Sequence, residues 1–289
     1  MGTMVAGGKP KRGVSLYCYA DEYGVTMNLE NMLEDMNDMG AKGLEILANG
    51  HIEGYPNPTD AWVENWHRLM KAYDIIPVDY GHWIDSRLYK NRELTTEESY
   101  AMLLQDIKLA NRLGFTVMRT KLGVVDETLT PVANWREIIE MALPDAEKYN
   151  VVMCPEIHFP TNLKSQMIKD YVEFIDRTKT KHFGLNIDFG VFDKHLKPVG
   201  NLKEAEPNEP EDIIPLLPYI YVCHAKFTDM TDDFLEPHID YPKILGIMME
   251  HGWNGYLLSE YEGDNRDVPG YTSQVLRKQH VMMKRILGE

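Results

Sequence analysis

Four stretches decide the fold: VVMCPEIH (151–158), GLNIDFG (184–190), YIYVCHAK (219–226) and GYLLSEYEG (255–263). Each is a short run of β-branched, aromatic or aliphatic residues that turns polar at its C-terminal end. Near-continuous apolar runs of this length suit parallel strands covered on both faces. The polar residues that end them, Glu156, Asp188, His224 and Glu260, are 32, 36 and 36 positions apart. That interval holds one strand, one helix and their two connections.

Working outward, the same alternation runs the length of the chain. Strands are expected at 14–19, 43–47, 75–80, 117–121, 151–157, 184–188, 219–223 and 255–259. Helical patterns lie between them at 29–39, 60–73, 97–113, 134–149, 163–177, 209–217, 241–250 and 272–287. Gly114 is a natural stop for the third helix. Pro144 should bend the fourth and Pro215 should limit the sixth. Eight strand–helix units fit a closed (β/α)₈ barrel or an open doubly wound sheet. No GxGxxG opens the first unit, and polar residues gather at strand ends throughout, so the α/β class resolves to a (β/α)₈ TIM barrel.

The 289 residues match the size of one such barrel, and no Ser/Gly/Pro-rich linker divides them. Residues 1–12 read as a flexible N-terminal tail and 13–289 as a single barrel domain. No apolar run approaches the ~20 residues of a membrane span. The net charge of −15 disfavours nucleic acid and anionic membranes as partners. Three cysteines without CxxC spacing point to a reducing compartment, so a cytoplasmic location is expected. The chain is also expected to form an oligomer.

In a barrel of this kind chemistry collects at the C-terminal strand ends. Any one acidic or imidazole residue after a strand is ordinarily a helix cap or a solvated loop residue. Four in consecutive units are a different matter. Three carboxylates converging on one mouth would repel unless a cation neutralised them, so Glu156, Asp188, His224 and Glu260 are read as metal ligands. Oxygen-rich donors with one imidazole suit Mn²⁺, Mg²⁺ or a related divalent ion better than structural zinc, and the imidazole favours Mn²⁺. Four ligands on a six-coordinate ion leave two positions for a sugar hydroxyl and carbonyl.

His158 lies two positions after Glu156 and therefore shares its strand face. It is a candidate general base, the bland alternative being a wall-lining histidine. Lys226 bears the same relation to His224. His51, His82, Arg119 and Lys121, with Lys226, are candidate substrate contacts. Tyr17, Tyr19, Trp83 and Phe159 are candidate stacking surfaces, although core packing is the ordinary role of such rings.

PEIH (155–158), NIDFG (186–190), VCHAKF (222–227) and LLSEYEG (257–263) resemble the xylose isomerase-like barrel superfamily. That group contains sugar isomerases, ketose 3-epimerases, inosose-processing enzymes and an abasic-site endonuclease branch. The resemblance covers essentially the whole chain and implies a Mn²⁺ centre on the four residues named. PEIH and RTKLG (119–123) are most similar to the large subunit of bacterial C-glycoside deglycosidases. This narrower likeness implies carbon–carbon cleavage of a 3-keto glycoside by elimination, with His158 as base, and a small β-sandwich partner subunit.

The alternatives are a sugar or sugar-phosphate isomerase or epimerase, with Glu156 and Glu260 as acid and base, and a phosphodiesterase of the endonuclease branch. The acidic balance speaks against the last, and no Gly-rich phosphate cradle follows strands 7 or 8. A non-catalytic barrel would have no need to keep the ligand set.

Overall fold

The first strand, β1 (Lys11–Ser15), begins inside the stretch read as a tail and ends sooner than its apolar run does. The Ser15 hydroxyl accepts the amide of Tyr17, and Leu16–Tyr19 curls into a 3₁₀ turn. The computed structural model describes residues 8–84, 92–122, 130–196 and 207–289; within these, the side chains at 82–84 and 121 are outside the description.

After β1 come α1 (Leu29–Asp38), β2 (Gly43–Leu47), the single turn α2 (Ala48–His51), α3 (Asp60–Ala72), β3 (Ile76–Ile84), α4 (Thr96–Leu113) and β4 (Val117–Leu122). The second half adds α5 (Trp135–Lys148), β5 (Val152–Ile157), α6 (Gln166–Thr178), β6 (Leu185–Asp188), a 3₁₀ helix (Pro210–Tyr219) and β7 (Ile220–Phe227). It closes with α7 (Tyr241–Glu250), β8 (Tyr256–Tyr261) and α8 (Tyr271–Leu287). All pairings are parallel, each strand lies beside the next, and β8 returns to β1, so the sheet is a closed barrel.

Local chemistry explains the boundaries. Asn28 with Asn31 and Thr95 with Glu98 form reciprocal caps that start α1 and α4, and Ser165 caps α6. Gly114 ends α4 in the left-handed region at φ 89°. α5 runs on through Pro144. The sixth expected helix, 209–217, is 3₁₀ instead: Pro215 and Pro218 lack the amide hydrogens that an α-helix would use.

Most of the buried apolar surface lies between barrel and helices. A smaller inner cluster of Val78, Val117, Cys154, Val222 and Leu258 fills the base of the barrel. Strand alternation then grades the interior from apolar to polar toward the C-terminal mouth. On β5 and its extension the inward residues are Val152, Cys154, Glu156 and His158; on β8 they are Tyr256, Leu258, Glu260 and Glu262. A register shift where β2 meets β3 leaves Val78 without a partner, which turns Asp79 and Gly81 inward.

Candidate metal centre

Adjacent parallel strands carry the four expected ligands to one level. Asp188 is opposite His224 across β6 and β7, and Glu156 is opposite Asn186 across β5 and β6. One donor atom from each of Glu156, Asp188, His224 and Glu260 lies within 4.8 Å of the other three. His224 Nδ1 is 3.0 Å from Glu156 Oε1, 3.4 Å from Glu260 Oε2 and 3.9 Å from Asp188 Oδ2. Six-coordinate ligands at ~2.1 Å from an ion stand roughly 3.0 Å apart when adjacent and 4.2 Å when opposite, close to this spread.

Charge supports the same reading. Glu45, Asp79, Glu156, Asp188 and Glu260 have almost wholly buried carboxylates, and the permanent cations among them, counted over the described residues, are Arg119 and Lys226. One divalent ion would reduce that excess of three negative charges to one. Asp188 Oδ2 is buried and has no hydrogen-bond partner, while the Gly190 amide donates to Oδ1. The donors present therefore fit a hard divalent ion.

Without an ion, protons must do part of this work. Burial depresses the His224 imidazole, but Glu45, Glu260 and Glu156 around it drive its pKa well above the usual histidine range. Burial, with Glu260 and Glu156 close by, raises the Asp188 carboxyl against the pull of Lys226. Burial acts on Glu156 and Glu260 in the same sense. Arg119 and His224 nevertheless hold Glu156 low, and Lys226 and His224 hold Glu260 low. Asp79 is pushed up to about 7 by burial and by Glu45.

Above the cluster opens a cavity of about 380 Å³ whose wall includes His158, Arg119, Lys226, Glu156 and Glu260. His158 Nδ1 is 2.7 Å from the Phe159 carbonyl oxygen. A carbonyl only accepts, so Nδ1 bears the hydrogen and the neutral ring has its lone pair on Nε2. Lys226 Nζ lies 2.6 Å from Glu262, 3.3 Å from Glu260 and 3.7 Å from Asp188. Arg119 borders the cavity, yet its guanidinium is engaged on both edges, with Nε 3.0 Å from Glu45 and a terminal nitrogen 3.0 Å from Glu156. Its guanidinium bridges two carboxylates at the cavity wall.

His51 is not among the residues that line this cavity. It is 3% exposed, with Nδ1 3.2 Å from the Leu47 carbonyl oxygen and its ring 4.9 Å from that of Tyr23. The side chains of His82, Trp83 and Lys121 lie outside the described residues. Tyr17 lines the cavity, whereas Tyr19 is buried and donates its hydroxyl to Asp35. Phe159 borders a separate depression beside the mouth.

Sequence reasoning missed Glu45, Asp79 and Asn186. Glu45 and Asn186 touch the far nitrogen of His224: Nε2 is 3.3 Å from Glu45 and 3.0 Å from the Asn186 amide, which reaches Asp79 at 3.4 Å. The available signal was a carboxylate inside an apolar strand, GLEIL (43–47), where an inward position leaves it no water.

Comparison with known proteins agrees with this architecture. The alpha subunit of a C-glycoside deglycosidase of Arthrobacter globiformis is 24% identical, over 99% of this chain and 94% of its own length. The alpha subunit of a 3'-dehydrocarminate deglycosidase of a Microbacterium species is 24% identical over 99% and 98%. The solved structure of L-ribulose 3-epimerase superposes with a TM-score of 0.70 at 16% identity, covering 96% of this chain and 95% of that one. Among the described residues no helix is long and apolar enough to cross a membrane. The family model described as the xylose isomerase-like TIM barrel matches residues 33–284, and the chain belongs to that family.

Proposed function

We propose that the protein is the catalytic subunit of a Mn²⁺-dependent C-glycoside deglycosidase, a lyase that cleaves the bond between a 3-keto sugar and the carbon of its aglycone. The observation that carries this reading is His158. Its ring shares the cavity wall with Glu156 and Glu260 while standing outside the four-ligand set. The names of the two relatives that align over nearly their whole length support the choice of substrate.

A divalent ion on Glu156, Asp188, His224 and Glu260 would supply a Lewis acid for the keto oxygen and a neighbouring hydroxyl. The reaction asks the chain for a base beside those oxygens. His158 Nε2 takes the proton from the carbon next to the carbonyl, with Nδ1–H anchored on the Phe159 carbonyl. The electrons of that C–H bond form a carbon–carbon double bond to the anomeric carbon. The bond from the anomeric carbon to the aglycone breaks with its electron pair on the aglycone carbon, which solvent protonates. Arg119 keeps Glu156 ionised, and Lys226 does the same for Glu260. Lys226 with Glu262 offers a polar rim for sugar hydroxyls.

The alpha-subunit names of the relatives support a partner subunit for this chain, which we propose is a small β-sandwich, and the three buried thiols support a cytoplasmic setting. The test is to incubate the protein, alone and with any small β-rich protein encoded beside it, with a 3-keto C-glucoside, the unoxidised C-glucoside and free ketoses. Aglycone release from the keto form alone is the expected result. Epimerised ketose without aglycone release would assign a sugar isomerase or epimerase in its place.

A further inference from the structure

Among the described residues that line the cavity, Tyr17 is the one phenol ring. It stands half-buried in the 3₁₀ turn that follows β1. A residue of another loop holds it there. Arg266, in the connection after β8, has its guanidinium carbon over the Tyr17 ring, 4.6 Å from the centroid. A terminal nitrogen of the same guanidinium donates to the Tyr17 carbonyl oxygen at 2.8 Å, and Nε is 3.4 Å from Asp21. Glu22, 2% exposed, joins the same two loops a second time: the Gly270 amide and the Thr26 hydroxyl donate to its Oε2 at 2.9 and 3.1 Å.

Two roles compete for a cation in a loop at the barrel mouth. One is capture of an anionic group on the substrate. Arg266, however, is not among the residues that line the cavity, its side chain is 15% exposed, and its nitrogens face Tyr17 and Asp21. The other role is to fix and polarise a ring that does line the cavity. A cation on one face of a phenol draws the π-electrons toward itself. The face left to the cavity becomes less negative. It then favours an electron-rich aromatic ring over the C–H groups of a sugar, which seek a negative face.

We infer that Arg266 is a positioning residue that makes Tyr17 a stacking platform for an electron-rich aromatic aglycone, such as a phenol. This role rests on the glycoside reading of the cavity and adds the class of aglycone to it. Arg266 holds the ring by its face and by the carbonyl of the same residue, so Tyr17 is ordered before a ligand arrives. A ring fixed in advance loses little side-chain freedom on binding.

The test is equilibrium binding, by isothermal titration calorimetry, to the Mn²⁺-loaded His158→Ala protein, which should hold substrates without turning them over. Two 3-keto C-glucosides are compared, one with a hydroxyphenyl aglycone and one with a methyl group in its place. In that background Arg266→Met should weaken the hydroxyphenyl ligand about 5- to 10-fold and leave the methyl ligand within about 2-fold. Tyr17→Leu should do the same. The double variant should lose no more than Tyr17→Leu alone, because Arg266 acts through the ring. Far-UV circular dichroism checks that each variant folds. If Arg266→Met does not, Arg266→Lys, which keeps the charge without the plane, should lose about 3-fold on the hydroxyphenyl ligand alone. Unchanged binding of that ligand, or equal weakening of both, would overturn the role of Arg266. Losses that add in the double variant would overturn it too, since Arg266 would then act apart from Tyr17. If neither ligand binds the His158→Ala protein, the glycoside reading falls, and the role of Arg266 with it.

Discussion

Replacing Arg119 with methionine separates a brace from a substrate contact. The guanidinium, its side chain 11% exposed, is 3.0 Å from each of two carboxylates with still less exposure, Glu45 and Glu156. Methionine fills much of the same volume and supplies no charge, so both carboxylates lose their partner. Removing one side of a buried ion pair destabilises by about 3–5 kcal/mol. At ~2.1 cal/mol/K per residue, the 289 residues give an unfolding entropy of about 0.6 kcal/mol/K, so the metal-free variant should melt about 5–8 °C lower. Mn²⁺ should narrow that gap by roughly half, because Glu156 regains a cation as a ligand while Glu45 does not. Calorimetry of wild type and variant, with and without Mn²⁺, reads both numbers. A variant that melts within about 1 °C of wild type and shows only a raised KM would refute the brace and restore Arg119 as a substrate contact.

Two further perturbations follow from the site. His158→Ala should retain the metal while turnover falls by roughly 10²-fold or more, as for a lost general base; loss of bound metal in step with activity would make His158 a ligand. Gly190→Ala would place a Cβ 2.7 Å from Asp188 Oδ1, the oxygen that accepts the Gly190 amide. The ligand must shift, and Mn²⁺ affinity should weaken by about 10-fold with the fold retained; an unchanged dissociation constant would show that Asp188 tolerates the crowding.

The barrel was legible because parallel strands buried on both faces read as apolar runs, and a period near 35 residues leaves little other than strand–helix units. The cluster of Glu156, Asp188, His224 and Glu260 was legible for a related reason: each follows such a run at its C-terminal end. Boundaries were less so. The apolar stretch 14–19 reads as one strand, but the hydroxyl of Ser15 captures the next turn and ends β1 early. Pro218 combined with Pro215 makes the sixth helix 3₁₀, a change that periodicity does not register.

Glu45 and Asp79 were hidden by the same alternation that revealed the four clustered residues. A carboxylate within a strand looks like an outward residue until the register says otherwise, and β3 slips its register at Val78. The roles of Arg119 and His51 depend on which neighbours close around them. Arg119 meets Glu45 and Glu156 from strands distant in sequence, and the ring of His51 packs against that of Tyr23.

The mouth of the barrel should hold one divalent ion. Anomalous diffraction at the manganese edge from crystals grown with Mn²⁺ tests it most directly. One peak per chain is expected at about 2.0–2.3 Å from Glu156, Asp188, His224 Nδ1 and Glu260. A cavity without a peak, or a peak held by other residues, would contradict it.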